Sequence, residues 1–399
     1  MSDVPANPAP RRITFYDTTL RDGEQAPGNA MSPEQKLALA LRLEQLGVDV
    51  IEAGFPGSSA ADRQATRLIS QSLTTARFST LSRAVAADID AAVEVGGLER
   101  HQVEILATGS DLHLMHKRGL SRAQGERETI AAVRHARSLG VTDVAVGIED
   151  ASRGDHDLIR SLVASSIEAG ATTVVLADTT GCATPAEFRA LVRAVRDSVP
   201  PSVTLSVHCH DDLGLAVANT LAAIEAGVDE VQVALAGIGE RAGNTALEEV
   251  AAILHYKGVE LGVRTGLDTR LLYQAFELLR DTITMPVPRN KAIFGTNAFS
   301  TQAGIHQDGI LREPRTYEYV EPDLFGRRRR LLVGRHSGRN ILRHLFTELG
   351  LPTNRQQIER LYADYIADRD EDCLDLAAMS AVVRARHGVT SAPVEDVRA

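Results

Sequence analysis

The residues most able to do chemistry are two histidines one residue apart, His208 and His210, in Leu205-Ser206-Val207-His208-Cys209-His210-Asp211-Asp212. In an extended chain alternate side chains point the same way, so both imidazoles can grip one cation. A further ligand is needed. The segment Asp17-Thr18-Thr19-Leu20-Arg21-Asp22-Gly23-Glu24-Gln25 offers carboxylates, and Asp22 would complete a facial set of two histidines and one carboxylate. Mixed nitrogen and oxygen ligation suits Zn, Mn, Mg or Co without selecting among them. Open coordination positions would hold the keto and carboxylate oxygens of a substrate. A purely structural alternative has Asp17, Arg21 and Asp22 as an ion-pair cluster that stabilises the turn.

Other polar residues come in similar settings. The turn Ala236-Gly237-Ile238-Gly239-Glu240-Arg241-Ala242-Gly243-Asn244 precedes a helix-like run, and Gly237 and Gly239 would let its backbone N–H groups meet an anion such as a phosphate or thioester oxygen. A glycine-rich turn serves tight packing equally often. Gly147-Ile148-Glu149-Asp150 and Ala177-Asp178-Thr179-Thr180-Gly181 add carboxylates and hydroxyls, each of which taken singly reads as ordinary loop capping.

These residues share one position in a repeating pattern. Short runs rich in Val, Ile and Thr, at Ile13–Thr19, Val48–Phe55, Arg77–Ser82, Val103–Thr108, Asp143–Ile148, Thr172–Asp178, Thr204–His210 and Glu230–Ala236, alternate with Ala/Leu/Glu/Arg stretches of helical period. Eight βα units in succession predict an α/β fold, a closed (β/α)8 TIM barrel over 13–264, with the polar residues at the strands' C-terminal ends where such barrels do chemistry. Ser32-Pro33-Glu34 and Thr184-Pro185-Ala186 mark helix starts, each a capping residue followed by proline. After about Gly258 the rhythm stops. Residues 265–390 read as an appended helical C-terminal subdomain with helices at Asp268–Leu279, Arg339–Leu349 and Gln356–Arg369, and Arg327–Arg330 reads as a solvated loop face. Residues 1–12 and 391–399 read as flexible.

Composition narrows the partners. A formal charge of −10 and 4% aromatic residues give no footprint for nucleic acid. No apolar run reaches membrane-spanning length and the N-terminus lacks a hydrophobic signal region, so a cytoplasmic protein is expected. The three cysteines, Cys182, Cys209 and Cys373, lack CxxC spacing and suit free thiols in a reducing compartment.

Leu20-Arg21-Asp22-Gly23-Glu24-Gln25 with Lys36 downstream, the stretch from Leu205 through His208 and His210 to Ala218, Gly237 to Asn244, and Ala303-Gly304-Ile305-His306-Gln307-Asp308-Gly309 together resemble the 2-isopropylmalate synthase and homocitrate synthase family over about residues 13–345. The resemblance implies a Claisen-type condensation of acetyl-CoA with a 2-oxo acid and water, releasing CoA and a 2-substituted malate. It makes Asp22, His208 and His210 ligands of a divalent metal ion, with Asn244 as a fourth. Arg21 would polarise the keto oxygen, Thr179 would hold the keto acid's carboxylate, and Glu149 would lie beside the acetyl group. His306 and Tyr317 would reach an active site, in this family usually that of a partner subunit, which implies a homodimer.

Signatures within the family disagree on substrate. Phe55-Pro56-Gly57-Ser58-Ser59, Leu81-Ser82-Arg83-Ala84 and Gln307 look like isopropylmalate synthases; Glu149-Asp150-Ala151-Ser152-Arg153 and Ser110-Asp111-Leu112-His113 look like homocitrate synthases. Glu104 stands where the family pattern leads us to expect a histidine. That change implies an altered keto-acid pocket and a specialised 2-alkylmalate product, for example from phosphonopyruvate. The chain also ends before the C-terminal regulatory domain of the long isopropylmalate synthases would be complete, so leucine feedback through that domain is not expected. A lyase of the hydroxymethylglutaryl-CoA type and a non-catalytic binding protein on the same barrel are the competing readings.

Overall fold

The computed structural model describes residues 9–367 and 373–387. The chain forms two compact units, one ending at Met285 and one beginning at Pro286. The sequence reading divides the chain at 264/265, whereas the helix Leu272–Ile283 belongs to the first unit, where it packs on the helix Pro33–Leu46.

In the first unit eight strands close into a parallel barrel: β1 (Thr14–Asp17), β2 (Val50–Gly54), β3 (Arg77–Arg83), β4 (His101–Thr108), β5 (Asp143–Glu149), β6 (Thr173–Asp178), β7 (Thr204–Cys209) and β8 (Glu230–Val233). Each strand pairs with its successor, and β8 closes on β1 with Phe15 opposite Val231. Every expected strand is present, five of them trimmed and three extended by one or two residues. Eight main helices surround them: α1 (Pro33–Leu46), α2 (Ala60–Ser72), α3 (Ala86–Gly96), α4 (Arg122–Ser138), α5 (His156–Ala169), α6 (Pro185–Arg196), α7 (Ala216–Ala226) and α8 (Leu247–Leu261). The capping signals work as read: Ser32 and Gln35 form a capping box on α1, and Thr184 and Glu187 form one on α6.

Helix faces such as Leu39, Leu43 and Leu46 of α1, or Phe188, Leu191 and Val192 of α6, bury completely or nearly so around the strands. The strands' buried residues are less uniformly apolar. Glu52, Ser79, Gln102, Glu104, Ser206, His208, Glu230 and Gln232 are all buried polar residues of the barrel strands, where hydrocarbon layers are the usual filling. The expected flexible N-terminus is corrected in part. Arg11–Arg12 form a short strand parallel to Val263–Arg264, because the backbone groups of both segments find partners there. Residues 1–8 and 391–399 lie outside the described residues.

The second unit contains the two helices expected within it, at Arg339–Glu348 and Arg355–Tyr362, and two not expected, at Gly304–Arg312 and Leu376–His387, around a core that includes Leu342, Leu345, Phe346, Ile358 and Met379. It also holds a three-stranded sheet of Ser300–Thr301, Arg330–Val333 and Leu374–Asp375, strands too short to show a period. The run Arg327–Arg330 is a solvated face only at Arg328 and Arg330. Arg327 is buried, donating to the Ile293 and Gly295 carbonyls at 2.6 and 3.1 Å, and Arg329 pairs with Glu318 at 2.7 Å.

One buried cation fixes the entrance to α1. The Lys36 ammonium pairs with Glu24, on the one-turn helix Asp22–Gln25 that follows β1, and with Asp62 of α2 at 2.6 Å. Replacing Lys36 by Met leaves two carboxylates facing each other without a counter-charge. Lys36→Met is expected to cost about 3 kcal/mol of unfolding free energy in denaturant titration; a loss below about 0.5 kcal/mol would show that the ion network does not hold this segment.

Candidate metal centre and active site

The turn after β1 delivers a largely buried arginine. Arg21 Nε lies 2.8 Å from Glu52 Oε1 of β2, and its Nη1 donates to Asp22 Oδ2 at 2.8 Å. Glu52 Oε2 accepts from Thr18 Oγ1 at 2.5 Å, so the anchor is itself anchored. Burial opposes the charge on Arg21, but Glu52 and Asp22 outweigh it and hold the guanidinium firmly protonated. Burial also works against an ionised Asp22; Arg21, His208 and His210 overcome it and keep this carboxyl well below the usual carboxylate range. The structural alternative places Asp17 with Arg21 and Asp22; an ion-pair cluster does form, but with Glu52 in that place, Asp17 accepting from Thr19 instead, and the cluster faces the histidines.

The β7 end places His208 and His210 as alternation predicts. Their Nε2 atoms are 3.1 Å apart, and His210 Nε2 is 3.9 Å from Asp22 Oδ2. Two nitrogens bonded at about 2.1 Å to one ion at a right angle stand about 3 Å apart, so the spacing fits shared ligation. Ligand atoms of Asp22, His208 and His210 all lie within 4.8 Å of one another, and all three residues are buried. Burial and then His210 push the His208 pKa down to about 3, so its imidazole is neutral. Its Nδ1 meets Gln232 Oε1 at 3.0 Å, which puts the proton on Nδ1 and leaves the Nε2 lone pair toward the ion site.

Asn244 fits a fourth position. Its Nδ2 donates to Asp22 Oδ1 at 2.8 Å and to the Ile238 carbonyl at 3.1 Å, while its buried Oδ1 has no protein partner. A buried carbonyl without a protein partner, beside two imidazoles and a carboxylate, suits a fourth cation ligand. Gly239 makes room for it: a Cβ there would sit 2.1 Å from Asn244 Nδ2. The glycine-rich turn therefore corrects the expected anion cradle. The Gly237 N–H is taken by the Ala234 carbonyl at 2.9 Å, and the Glu240 N–H donates to Asp22 Oδ1 at 3.2 Å. Neither Gly237 nor Gly239 lines the cavity, and the turn packs around Asp22 instead.

Above these groups lies a cavity of about 320 Å³. Arg21, Asp22, His208 and His210 line it, together with Leu81, Leu106, Val175 and Ala177, and Lys117, Glu149, Thr179 and Arg241. Thr179 lines it as predicted, but its Oγ1 already accepts the Asp150 N–H at 2.8 Å, so the hydroxyl proton is what it can offer. Glu149 is clamped by Lys117, whose Nζ is 2.6 and 2.8 Å from the two carboxylate oxygens. Lys117 sits on a π turn, Leu114–Arg118, a geometry frequent at functional sites. His306 and Tyr317 belong to the second unit, where both are exposed and their rings meet at a tilt of 32° with centroids 4.2 Å apart.

Sequence reasoning missed Glu52, Gln232 and Lys117. Glu52 and Gln232 carried a signal, each being a lone polar residue in an otherwise apolar stretch of strand (Val50-Ile51-Glu52-Ala53 and Val231-Gln232-Val233). Lys117 carried none, since its role depends on the π turn.

Glu104 also lines the cavity, with 4% of its surface exposed, and its Oε2 accepts from Gln232 Nε2 at 3.1 Å. Burial, reinforced by nearby Glu52, raises its pKa from 4.5 to about 7. The folded protein then holds this proton where the unfolded chain has lost it, so stability present below pH 4.5 fades as pH rises through about 7. Glu104→Gln should gain about 3 kcal/mol on the parent between pH 4.5 and 8, measured by denaturant unfolding of chelator-treated protein. A pH-independent difference would contradict the buried acid.

Residues 12–279 match the family described as HMGL-like, and residues 293–371 match the homocitrate synthase post-HMGL domain-like family. A 2-isopropylmalate synthase of Carboxydothermus hydrogenoformans is 42% identical over 370 residues, covering 91% of this chain and 72% of the relative. A probable 2-isopropylmalate synthase of Ignicoccus hospitalis is 40% identical over 352 residues, covering 88% of this chain and 86% of the relative. Among solved structures, hydroxymethylglutaryl-CoA lyase from Pseudomonas aeruginosa has the same barrel, with a TM-score of 0.62, 23% identity, and coverage of 70% of this chain and 95% of that one. With the HMGL-like match spanning the whole barrel and relatives above 40% identity along nine-tenths of the sequence, the chain belongs to the HMGL-like family and, within it, to the 2-isopropylmalate synthase group.

Proposed function

We propose that this protein is an acyltransferase that joins the methyl carbon of acetyl-CoA to the keto carbon of a 2-oxo acid, giving a 2-substituted malate and CoA. The observation that carries the reading is the convergence of Asp22, His208 and His210 on one point beside the buried Arg21, at the floor of a cavity partly walled by Leu81, Leu106, Val175 and Ala177. Such a floor holds the charged head of a keto acid and such walls hold its substituent.

Asp22, His208 and His210, with Asn244 Oδ1, would hold a divalent ion, which when bound supplies a positive charge for the keto and carboxylate oxygens of the oxo acid. Arg21 stabilises the negative charge that develops on the keto oxygen as the carbon–carbon bond forms. Because Glu52 holds its guanidinium in place, little reorganisation is needed when that charge appears. Thr179 donates its hydroxyl to the oxo acid's carboxylate. Glu149 stands beside the acetyl group, from which a methyl proton must leave before the carbon can attack; water then cleaves the thioester and frees the CoA thiol. His306 and Tyr317 serve the site of a second copy in a homodimer. Both substrates are soluble metabolites, and the activity belongs in the cytoplasm.

The test is thiol titration of the protein with acetyl-CoA, Mg or Mn, and a panel of 2-oxo acids including 2-oxoisovalerate, 2-oxoglutarate, pyruvate and phosphonopyruvate. Thiol release should depend on the oxo acid. Release that never does so would favour a hydroxymethylglutaryl-CoA-type lyase, whose barrel is similar. Arg21→Lys should lower kcat by about 10²–10³, since a point charge on a flexible stem cannot keep both the Glu52 and Asp22 contacts. His208→Ala should abolish stable divalent-ion binding in equilibrium dialysis; full turnover by that variant would refute the ligand assignment.

A further inference from the structure

The cavity wall carries one feature the condensation does not use. Leu81, Leu106, Val175 and Ala177 are apolar lining residues, yet Glu104 presents a carboxyl group to the same cavity. The group is built in. Its Oε2 accepts from Gln232 Nε2 at 3.1 Å, and Gln232 in turn meets His208 at 3.0 Å, so the carboxyl is held in register with the floor. Its Oε1 lies against Gly147 on the neighbouring strand β5, where a Cβ would come within 2.6 Å. Any side chain at 147 would push this oxygen out of place, so the wall has a glycine where the acid needs room.

A carboxyl on an otherwise apolar wall discriminates between substituents. An alkyl group pressed against it strips water from Glu104 and offers nothing in return, whereas a hydroxyl, amide or amino group replaces the lost hydrogen bond. Sites built to bond a substrate O–H or N–H reject the analogue lacking it far more strongly than apolar pockets reject an extra methylene. An anionic substituent is disfavoured as well. The basic side chains lining the cavity are already paired: Arg21 with Glu52 and Asp22, Lys117 with Glu149, and Arg241 with Asp212.

We infer that Glu104, positioned by Gln232 and accommodated by Gly147, selects 2-oxo acids whose side chain carries a hydrogen-bond donor. This rests on the proposed condensation and narrows its substrate class.

The experiment measures kcat/KM by thiol release for two length-matched pairs, 4-hydroxy-2-oxobutanoate against 2-oxopentanoate and 5-hydroxy-2-oxopentanoate against 2-oxohexanoate, with 2-oxoglutarate as the anionic comparison. The hydroxylated member of at least one pair should exceed its alkyl partner by about tenfold or more, and should exceed 2-oxoglutarate. In Glu104→Leu the ratio should fall to about one or below, and Gly147→Ala, which displaces the carboxyl without removing it, should lower it in the same direction. A loss of packing would depress both members of a pair and leave the ratio alone. Should Glu104→Leu fail to fold, Gly147→Ala and Glu104→Gln carry the comparison. The inference is overturned if the parent prefers the alkyl or anionic acids, or if the ratio is the same in parent and variants. If no oxo acid elicits thiol release the condensation itself fails. The same pairs are then compared by the rise in melting temperature each gives the Mg-loaded parent and Glu104→Leu, where an equal rise for both members of each pair overturns the selectivity.

Discussion

The site depends on a guanidinium taken out of water. Arg21 lies at the mouth of the barrel between Glu52 and Asp22, and removing it would leave two carboxylates facing each other in a poorly solvated place. The three groups together carry one net negative charge, and the adjacent imidazoles are neutral. A divalent ion held there would bring that floor to one net positive charge, which would match the single carboxylate of a 2-oxo acid. The electrostatics would thus favour ion first and anion second, the anion bringing the local charge to balance.

A rigid surround keeps this arrangement in place. Glu52 comes from β2, Arg21 and Asp22 from the turn after β1, the histidines from the end of β7, and Gln232 from β8, so four strands of a closed sheet share one cluster. At the same rim Asp150, Ala236 and Arg241 adopt positive φ, a conformation costing non-glycine residues about 1 kcal/mol or more. The cost is tolerated because each sits where a strand hands over to the loop that shapes the cavity. Thr179 and Asp150 hold each other across two strand ends, and Arg241 bonds both the Thr179 carbonyl and Asp212.

Much of this was legible in the sequence for a simple reason: period-two and period-3.6 hydrophobic patterns alternate eight times, and alternation alone puts His208 and His210 on one side of a strand. The identity of Asp22 as their companion was legible from its place at a strand end. What the sequence hid were partners brought together by barrel closure. Gln232 is far from Glu104 along the chain, and only the ring of strands makes one the other's donor. The glycine-rich turn misled because its composition suits an anion cradle, whereas its N–H groups are spent on Ala234 and Asp22. Arg327 looked like part of a solvated basic run, and only the fold of the second unit supplies the carbonyls that bury it.

The close approach of Gly147 to the Glu104 carboxyl constrains how this chain could have changed through descent. While the long acid occupies position 104, a side chain at position 147 can enter only by pushing the carboxyl from its seat. The converse order is open, since swapping the acid for an imidazole leaves the glycine merely roomy. Positions 104 and 147 are therefore coupled: the acid keeps this orientation only beside a glycine, so a change at either alters what the other can do.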